Sequence, residues 1–323
     1  DKYIPNDRAV FVAFKDYWEV GKPYLDRYVM RVIPDLSALA LNLESGAIDC
    51  AWQISYMDAA RLQGMGGKYV SDSGAAGFGF FDVAINVTAE PFQNKKVRQA
   101  IAWSIDRERF CKTVMRGLGQ PTCLMWPSYS WAYFKDLEGT IGYDLDKARA
   151  LLKEAGLEKG FQTEILTASK RMVGYGEMAQ ILQADLRKIG INARVLDVEP
   201  ALYDNRTLVK GDIVMMIHTY GRAGRDPGSL VTGARAWTNG WKEGNWTHFE
   251  SAEWERWRKE LTSTLEIERR KAAARKLQEI ALEECFTNPV APAQFMFAHG
   301  SYVKGFGVTM DNSLYVGDMW LDK

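Results

Sequence analysis

The sequence predicts an α/β fold in two lobes. Two observations carry that expectation. Apolar runs of strand length alternate with segments of helical period along the whole chain, and 323 residues exceed the size at which one compact core keeps growing. No internal repeat or low-complexity segment breaks the alternation.

Residues 9–14 and 27–33 read as strands, with a polar and aromatic loop between them. Asp35 caps a helix that ends near Gly46, residues 48–52 form the next strand, and residues 64–68 a loop. Residues 80–86 are apolar and rich in aromatic and β-branched side chains, as suits a buried strand. From Asn94 the period changes. Val97, Ala100, Ile101, Ser104 and Ile105 fall on one helical face, and Lys95, Lys96, Arg98 and Gln99 on the other. Asp106 caps a second helix, which Gly117 ends.

Residues 117–142 lack any period and are dense in aromatics: Trp126, Tyr129, Trp131, Tyr133 and Phe134. A helix capped by Asp144 and stopped by Gly156 follows, then a strand over 163–167, a helix stopped by Gly190, and strands over 191–198 and 213–217. That last strand delivers the chain to the glycine-rich polar loop Tyr220, Gly221, Arg222, Ala223, Gly224, Arg225, Asp226, Pro227. Trp254, Trp257 and Leu261 share a helical face, a longer helix spans about 265–284, and residues 290–297 return as one strand.

Composition narrows the function classes. Forty-one basic and forty-one acidic side chains give zero net charge, so nothing steers the chain toward nucleic acid or an anionic membrane. No apolar run of about 18 residues is present to cross a bilayer. Cys50, Cys111, Cys123 and Cys285 have no metal-ligand spacing; a Cys111–Cys123 disulfide and four buried thiols both remain open. His218, His248 and His299 are scattered, which excludes the usual zinc motifs. There is neither a nucleophile elbow nor a phosphate loop, and residues 74–79 (GAAGFG) lead into a strand rather than opening a helix as a dinucleotide fingerprint does. The residues therefore point away from an enzyme, and imply no cofactor and no metal.

Three motifs carry a resemblance. The phrase from Val97 to Glu108 (VRQAIAWSIDRE), the segment Asp16-Tyr17-Trp18 through Gly21-Lys22-Pro23-Tyr24-Leu25-Asp26, and the run from Tyr143 to Gly156 together resemble the family 5 extracellular solute-binding proteins, the peptide, nickel and opine receptors of ABC importers. Residues 314–321 are similar to the closing motif of that family. The resemblance implies a type II periplasmic-binding-protein-like fold with hinge-crossing strands near Asn86 and Ala298. Residues 1–87 would be part of lobe I, 88–298 lobe II, and 299–323 the return to lobe I. It also implies that lobe I is incomplete here, because in relatives a large part of that lobe precedes the position matched by Asp1.

A receptor of this kind captures a small peptide-, opine- or sugar-like solute by hinge closure and docks on an ABC transporter permease. It acts as a monomer, without nucleic acid, in the periplasm or, in a Gram-positive cell, anchored outside the membrane. Ligands of open α/β sheets settle at the carboxyl ends of strands. The expected binding residues are therefore Trp52, Phe81, Asp82, Tyr220, Gly221, Arg222, Arg225 and Asp226, with Trp126, Tyr129 and Trp131 covering them from the aromatic loop. Aligned on Asp226-Pro227, peptide-binding relatives have an acidic residue where this chain has Ala223 between Arg222 and Arg225. That change favours a neutral or acidic ligand over a free ammonium. A hydrolase acting on a small polar substrate is the alternative from another class, and a receptor-like module without ligand binding is a third.

Overall fold

The computed structural model describes residues 2–73, 79–220, 226–233, 245–308 and 314–323. The chain divides into two compact units, Asp1–Gly77 with Gln294–Lys323, and Phe78–Ala293.

The first unit opens with an antiparallel meander of β1 (Lys2–Ile4), β2 (Arg8–Val12) and β3 (Arg27–Arg31). Helix α1 (Leu36–Glu44) starts where Asp35 Oδ1 accepts the Ala38 N–H at 2.8 Å. Strand β4 (Cys50–Ile54) follows, and then α2 (Tyr56–Gln63), opened by Ser55 Oγ accepting the Asp58 N–H at 3.0 Å. Strand β5 (Tyr69–Ser73) completes this stretch. Neither α2 nor β5 is among the sequence expectations: α2 is only eight residues long, and β5 is mostly polar.

The second unit begins at β6 (Phe80–Ile85), buried at all six positions. Asn94 Oδ1 accepts the Lys96 N–H and opens α3 (Lys95–Ser104), and Asp106 Oδ1 accepts the Arg109 N–H and opens α4 (Arg107–Thr113). The expected polar face of α3 needs one correction. Arg98 is buried, because its guanidinium donates to the carbonyls of Phe92, Gln93 and Glu284 and to the Glu284 carboxylate at 2.6 Å. Four charge-assisted bonds replace the water that a solvated arginine would keep.

Helix α5 (Leu145–Glu154), capped by Asp144, leads to β7 (Phe161–Thr167), α6 (Tyr175–Lys188) and β8 (Ile191–Asp197), a parallel pair joined by its crossover helix. Gly160, at φ +73°, lets β7 start against the turn into β8, since a Cβ there would lie 1.8 Å from the Gly190 carbonyl oxygen. Next come α7 (Pro200–Asp204), β9 (Met215–Tyr220), α8 (Gly228–Gly233), α9 (Ala252–Ser263), α10 (Ile267–Glu284) and β10 (Thr287–Pro292). The sheet order is β10-β6-β9-β7-β8, with β6 antiparallel to both neighbours and β7 parallel to both of its own.

The single strand expected over 290–297 is two. β10 belongs to this five-stranded sheet, whereas β11 (Met296–Gly300) lies between β4 and β5 in the first unit. Pro289, Pro292 and the break at residues 293–295 account for the split, because a proline cannot donate to a continuing ladder. Strand β6, grouped with residues 1–87 by the sequence reading, hydrogen-bonds within the sheet of the second unit. Short strands β12 (Val303–Lys304), β13 (Gly307–Val308), β14 (Leu314–Tyr315) and β15 (Trp320–Leu321) pair β12 with β15 and β13 with β14. All four cysteines are free thiols, so Cys111 and Cys123 are not bridged.

Candidate functional site

The glycine-rich loop singled out in the sequence is held at both ends by the second unit. Gly221, Arg222 and Arg225 lie outside the described residues, but their anchors are described.

The upstream anchor is the end of β9. Tyr220 pairs with Phe80 in the ladder, and Thr219 pairs with Phe81. The Thr219 N–H donates to the Tyr175 hydroxyl at 2.6 Å, and Thr219 Oγ1 lies 3.0 Å from the same oxygen. Tyr175 is buried at the start of α6, where Gly174 adopts φ +95°; a Cβ on Gly174 would meet the Phe81 ring at 3.3 Å. Phe81 packs edge-on against Phe110 and Tyr175 at centroid distances of 5.0 and 6.3 Å.

Beneath that strand end lies a buried polar group. Asp82 Oδ2 accepts the Thr287 hydroxyl at 2.9 Å and sits 3.2 Å from His218 Nε2, joining β6 to β10 and β9. The His218 ring stands edge-on to Trp246 at 4.9 Å. Phe81 and Asp82 are wholly inaccessible, so in this conformation they support the strand end and offer no surface to a ligand. Strand β6 is covered on both faces, which a run apolar at every position but Asp82 implies and the expectation for these two residues overlooked.

The downstream anchor is Asp226-Pro227. Asp226 Oδ1 accepts the Gly228 N–H at 2.7 Å, and its carbonyl accepts from Ser229, so the residue caps α8. The Pro227 carbonyl accepts the Trp126 indole N–H at 3.2 Å. Trp126 is among the largest fully buried side chains, and this bond satisfies its one polar atom. It is therefore a core residue of the aromatic stretch rather than part of an exposed cover.

Arg270 closes the assembly. Its Nη2 donates to Asp226 Oδ1, its Nε donates to the Leu261 carbonyl at 2.9 Å, and its guanidinium carbon lies 5.2 Å from the Trp131 ring centre. One side chain thus links α10, the end of α9, the loop anchor and the aromatic stretch. The guanidinium holds the Asp226 carboxyl below the usual carboxylate range. Tyr129, 49% exposed, presents its ring at the surface of the same stretch, and partial burial pushes its phenol up to about 12.

The structure thus brings Trp126, Trp131 and Asp226 together through Arg270, and Phe81, Asp82 and the β9 end together through Tyr175 and His218. Trp52 belongs to the first unit, on β4, part-exposed and edge-on to Phe297 at 4.9 Å. Arg270 and Tyr175 are absent from the sequence expectations. Arg270 sits in the run Glu268-Arg269-Arg270-Lys271, which reads as a solvated helix face. Tyr175 follows Gly174, and that glycine before a helical run was the available signal for a crowded helix start.

Comparison with known proteins identifies the lineage. Residues 1–242 match the profile of bacterial extracellular solute-binding proteins, family 5 Middle. The chain is similar to the dipeptide-binding protein of Escherichia coli K12, 31% identical over 209 residues that make up 64% of this chain and 38% of the relative. It is also similar to heme-binding protein A of Haemophilus influenzae, 28% identical over 232 residues, 70% of this chain and 41% of the relative. The chain thus spans well under half of each of these relatives.

Among solved structures, the A. tumefaciens binding protein AgaA in complex with agropinic acid superposes with a TM-score of 0.85 at 22% identity, covering 100% of this chain and 66% of that one. The Helicobacter pylori protein DppA in complex with the peptide STSA gives 0.83 at 26% identity, covering 100% of this chain and 62% of that one. The fold is accordingly that of the type II periplasmic binding proteins, represented in part. With its profile match extending from residue 1 to residue 242, the chain belongs to the family 5 bacterial extracellular solute-binding proteins.

Proposed function

We propose that the chain is part of the substrate-binding component of an ABC importer, capturing a small peptide-, opine- or sugar-like solute by domain closure and presenting it to a membrane permease outside the cytoplasm. The profile match over residues 1–242 is the observation that carries this reading. The residues that bracket positions 221–225 support it: Thr219 is bonded to Tyr175, and Asp226-Pro227 to Arg270 and Trp126, so both flanks of this polar, glycine-rich sequence are fixed. In this reading Arg222, Arg225, Tyr220, Gly221, Tyr129, Trp131 and Trp52 supply ligand contacts. Phe81, Asp82, Trp126 and Asp226 hold the frame. Binding is non-covalent, the relatives compared being named for what they bind.

The ligand is neutral or carries a carboxylate or phosphate, since Arg222 and Arg225 flank Ala223. Native mass spectrometry for a retained small molecule, followed by titration calorimetry with a panel of opines, sugars, acidic solutes and free-amino di- and tripeptides, tests both statements. Binding of acidic or neutral solutes is the expected result. Tight binding of the free-amino peptides with none of the acidic solutes refutes the ligand class, and a flat trace across the panel on folded protein refutes the receptor reading.

A further inference from the structure

The Asp82 group beneath the end of β9 carries more charge than a frame requires. Asp82 has no accessible surface, and its Oδ1 has no hydrogen-bond partner. Oδ2 alone is served, by the Thr287 hydroxyl at 2.9 Å and by His218 Nε2 at 3.2 Å. Two hydroxyls or two amides would tie the same strands at lower cost, because a buried charge left partly bare is strongly disfavoured. The pair instead joins a fixed carboxylate to an imidazole, the side chain that ordinarily changes charge between about pH 5 and 8.

The two protonation states differ in net charge. Because Asp82 accepts, Nε2 carries the proton of the neutral ring, and a proton taken from solvent adds at Nδ1. With the neutral imidazole the pair holds one buried negative charge. With the imidazolium it is neutral overall, and its hydrogen bond has charge on both sides. Burial opposes the added charge, whereas a carboxylate in contact favours it. The bare Oδ1 decides between them: no described group bonds to it, so neutralising the pair removes an isolated charge from the interior.

Among the described residues, the groups on the surrounding elements hold their charge through this range, with one exception. Arg107 on α4 keeps its charge and donates Nε at 2.8 Å to the carbonyl of Pro289, which faces Asp82 in the β6–β10 ladder. Tyr203 on α7 donates to the Ile217 carbonyl, and burial pushes its phenol well above the ordinary value. Burial also raises Tyr175 on α6, which is bonded to Thr219. Trp246, edge-on to the His218 ring, does not titrate. The exception is His248, two positions after Trp246, which burial pushes below its ordinary value.

We propose that Asp82 and His218 form a proton-operated clasp, in which uptake of one proton tightens the tie between β6 and β9 and firms the strand end that leads to Tyr220. Thr287 extends the tie to β10. The added stability is present in mild acid and is lost as pH rises through the imidazole titration. If the receptor reading proposed above holds, on which this consequence rests, solute capture is stronger in mild acid than in mild alkali.

Hydrogen exchange on the solute-free chain tests the clasp. Protection in β6 and β9, relative to intrinsic exchange rates, is expected to be about threefold or more higher at about pH 5.5 than at about pH 7.5, with no change in β8. His218→Gln and Asp82→Asn should each remove that gain, and His248→Gln should keep it; far-UV circular dichroism checks that each variant folds. Equal or lower protection at the acidic pH in the unsubstituted chain overturns the proposal, as does a gain that survives in His218→Gln or disappears in His248→Gln. The unsubstituted chain and His248→Gln decide the matter even where the variants of the buried pair fail to fold. No solute enters the measurement, so its failure leaves the receptor reading standing, and a flat calorimetric trace leaves the clasp standing.

Discussion

Arg270 holds Asp226 from a helix forty-four positions further along the chain, and in doing so fixes the downstream end of the glycine-rich loop. The pair is partly exposed, so its contribution to global stability is small, about 0–1 kcal/mol. Its effect should be local. Arg270→Ala is expected to leave the urea midpoint within experimental error while speeding hydrogen exchange in α8 and weakening ligand binding. The pH dependence has a definite sign. The carboxyl of Asp226 is lowered by its hydrogen bond to Arg270, so the anchoring is fully present above the ordinary carboxylate value and is lost only as pH falls through the lower folded value. The protection of α8 relative to its intrinsic exchange rate should therefore stay constant from neutral pH down to the ordinary carboxylate range and fall only below it. An Asp226→Asn variant should lose that acid-induced step.

Trp126 is the second half of the same anchor. Trp126→Phe removes the indole N–H from the Pro227 carbonyl, which still accepts from Leu230, so the expected loss is about 0.5–1.5 kcal/mol. Trp126→Ala adds a cavity and should cost about 3–5 kcal/mol. Chemical denaturation of the two variants separates the bond from the packing.

Arg98 makes a sharper prediction. Arg98→Met leaves the Glu284 carboxylate without its buried partner and strips a donor from three carbonyls, and should destabilise the second unit by about 3–5 kcal/mol. Lys95→Met, which removes an exposed pair with Glu283 one turn earlier on the same helix, should cost under about 1 kcal/mol. Equal losses in urea melts would contradict the difference in burial.

The thiols should be silent in the folded protein. Burial pushes Cys285 and Cys111 up to about 12 and leaves Cys123 enclosed, so a thiol reagent at pH 8 is expected to label none of the three within minutes. All four cysteines should label after unfolding without reductant, as counted by intact mass.

What the sequence disclosed and what it hid have separate physical causes. Local signals were legible: Asp35, Asp106 and Asp144 cap the helices assigned to them, and the buried run of β6 is visible as six consecutive buried positions. Partners set by tertiary contact were not. Arg98 is indistinguishable from Lys96 until the Glu284 carbonyl is placed beside it, and Arg270 reads like Arg269 until Asp226 and Trp131 arrive. The change of sheet between β10 and β11 was also hidden, because residues 290–297 are apolar at all but Gln294 and the break at 293–295 is too short to separate two strands by pattern alone. The partners of Thr219 and Asp226-Pro227, which bracket the glycine-rich sequence, came from elements far from it along the chain.

Strand β6 carries a burden during biosynthesis. Its ladder partners emerge late: His218 lies 136 positions after Asp82, and Thr287 lies 205 positions after it. At about 5–20 residues per second, roughly 10–40 s pass between the ribosome releasing Phe80-Phe81 and delivering β10. Throughout that interval a β-prone hexapeptide, apolar at every position but Asp82, has no native neighbour on one edge, an exposure that favours association between incomplete chains.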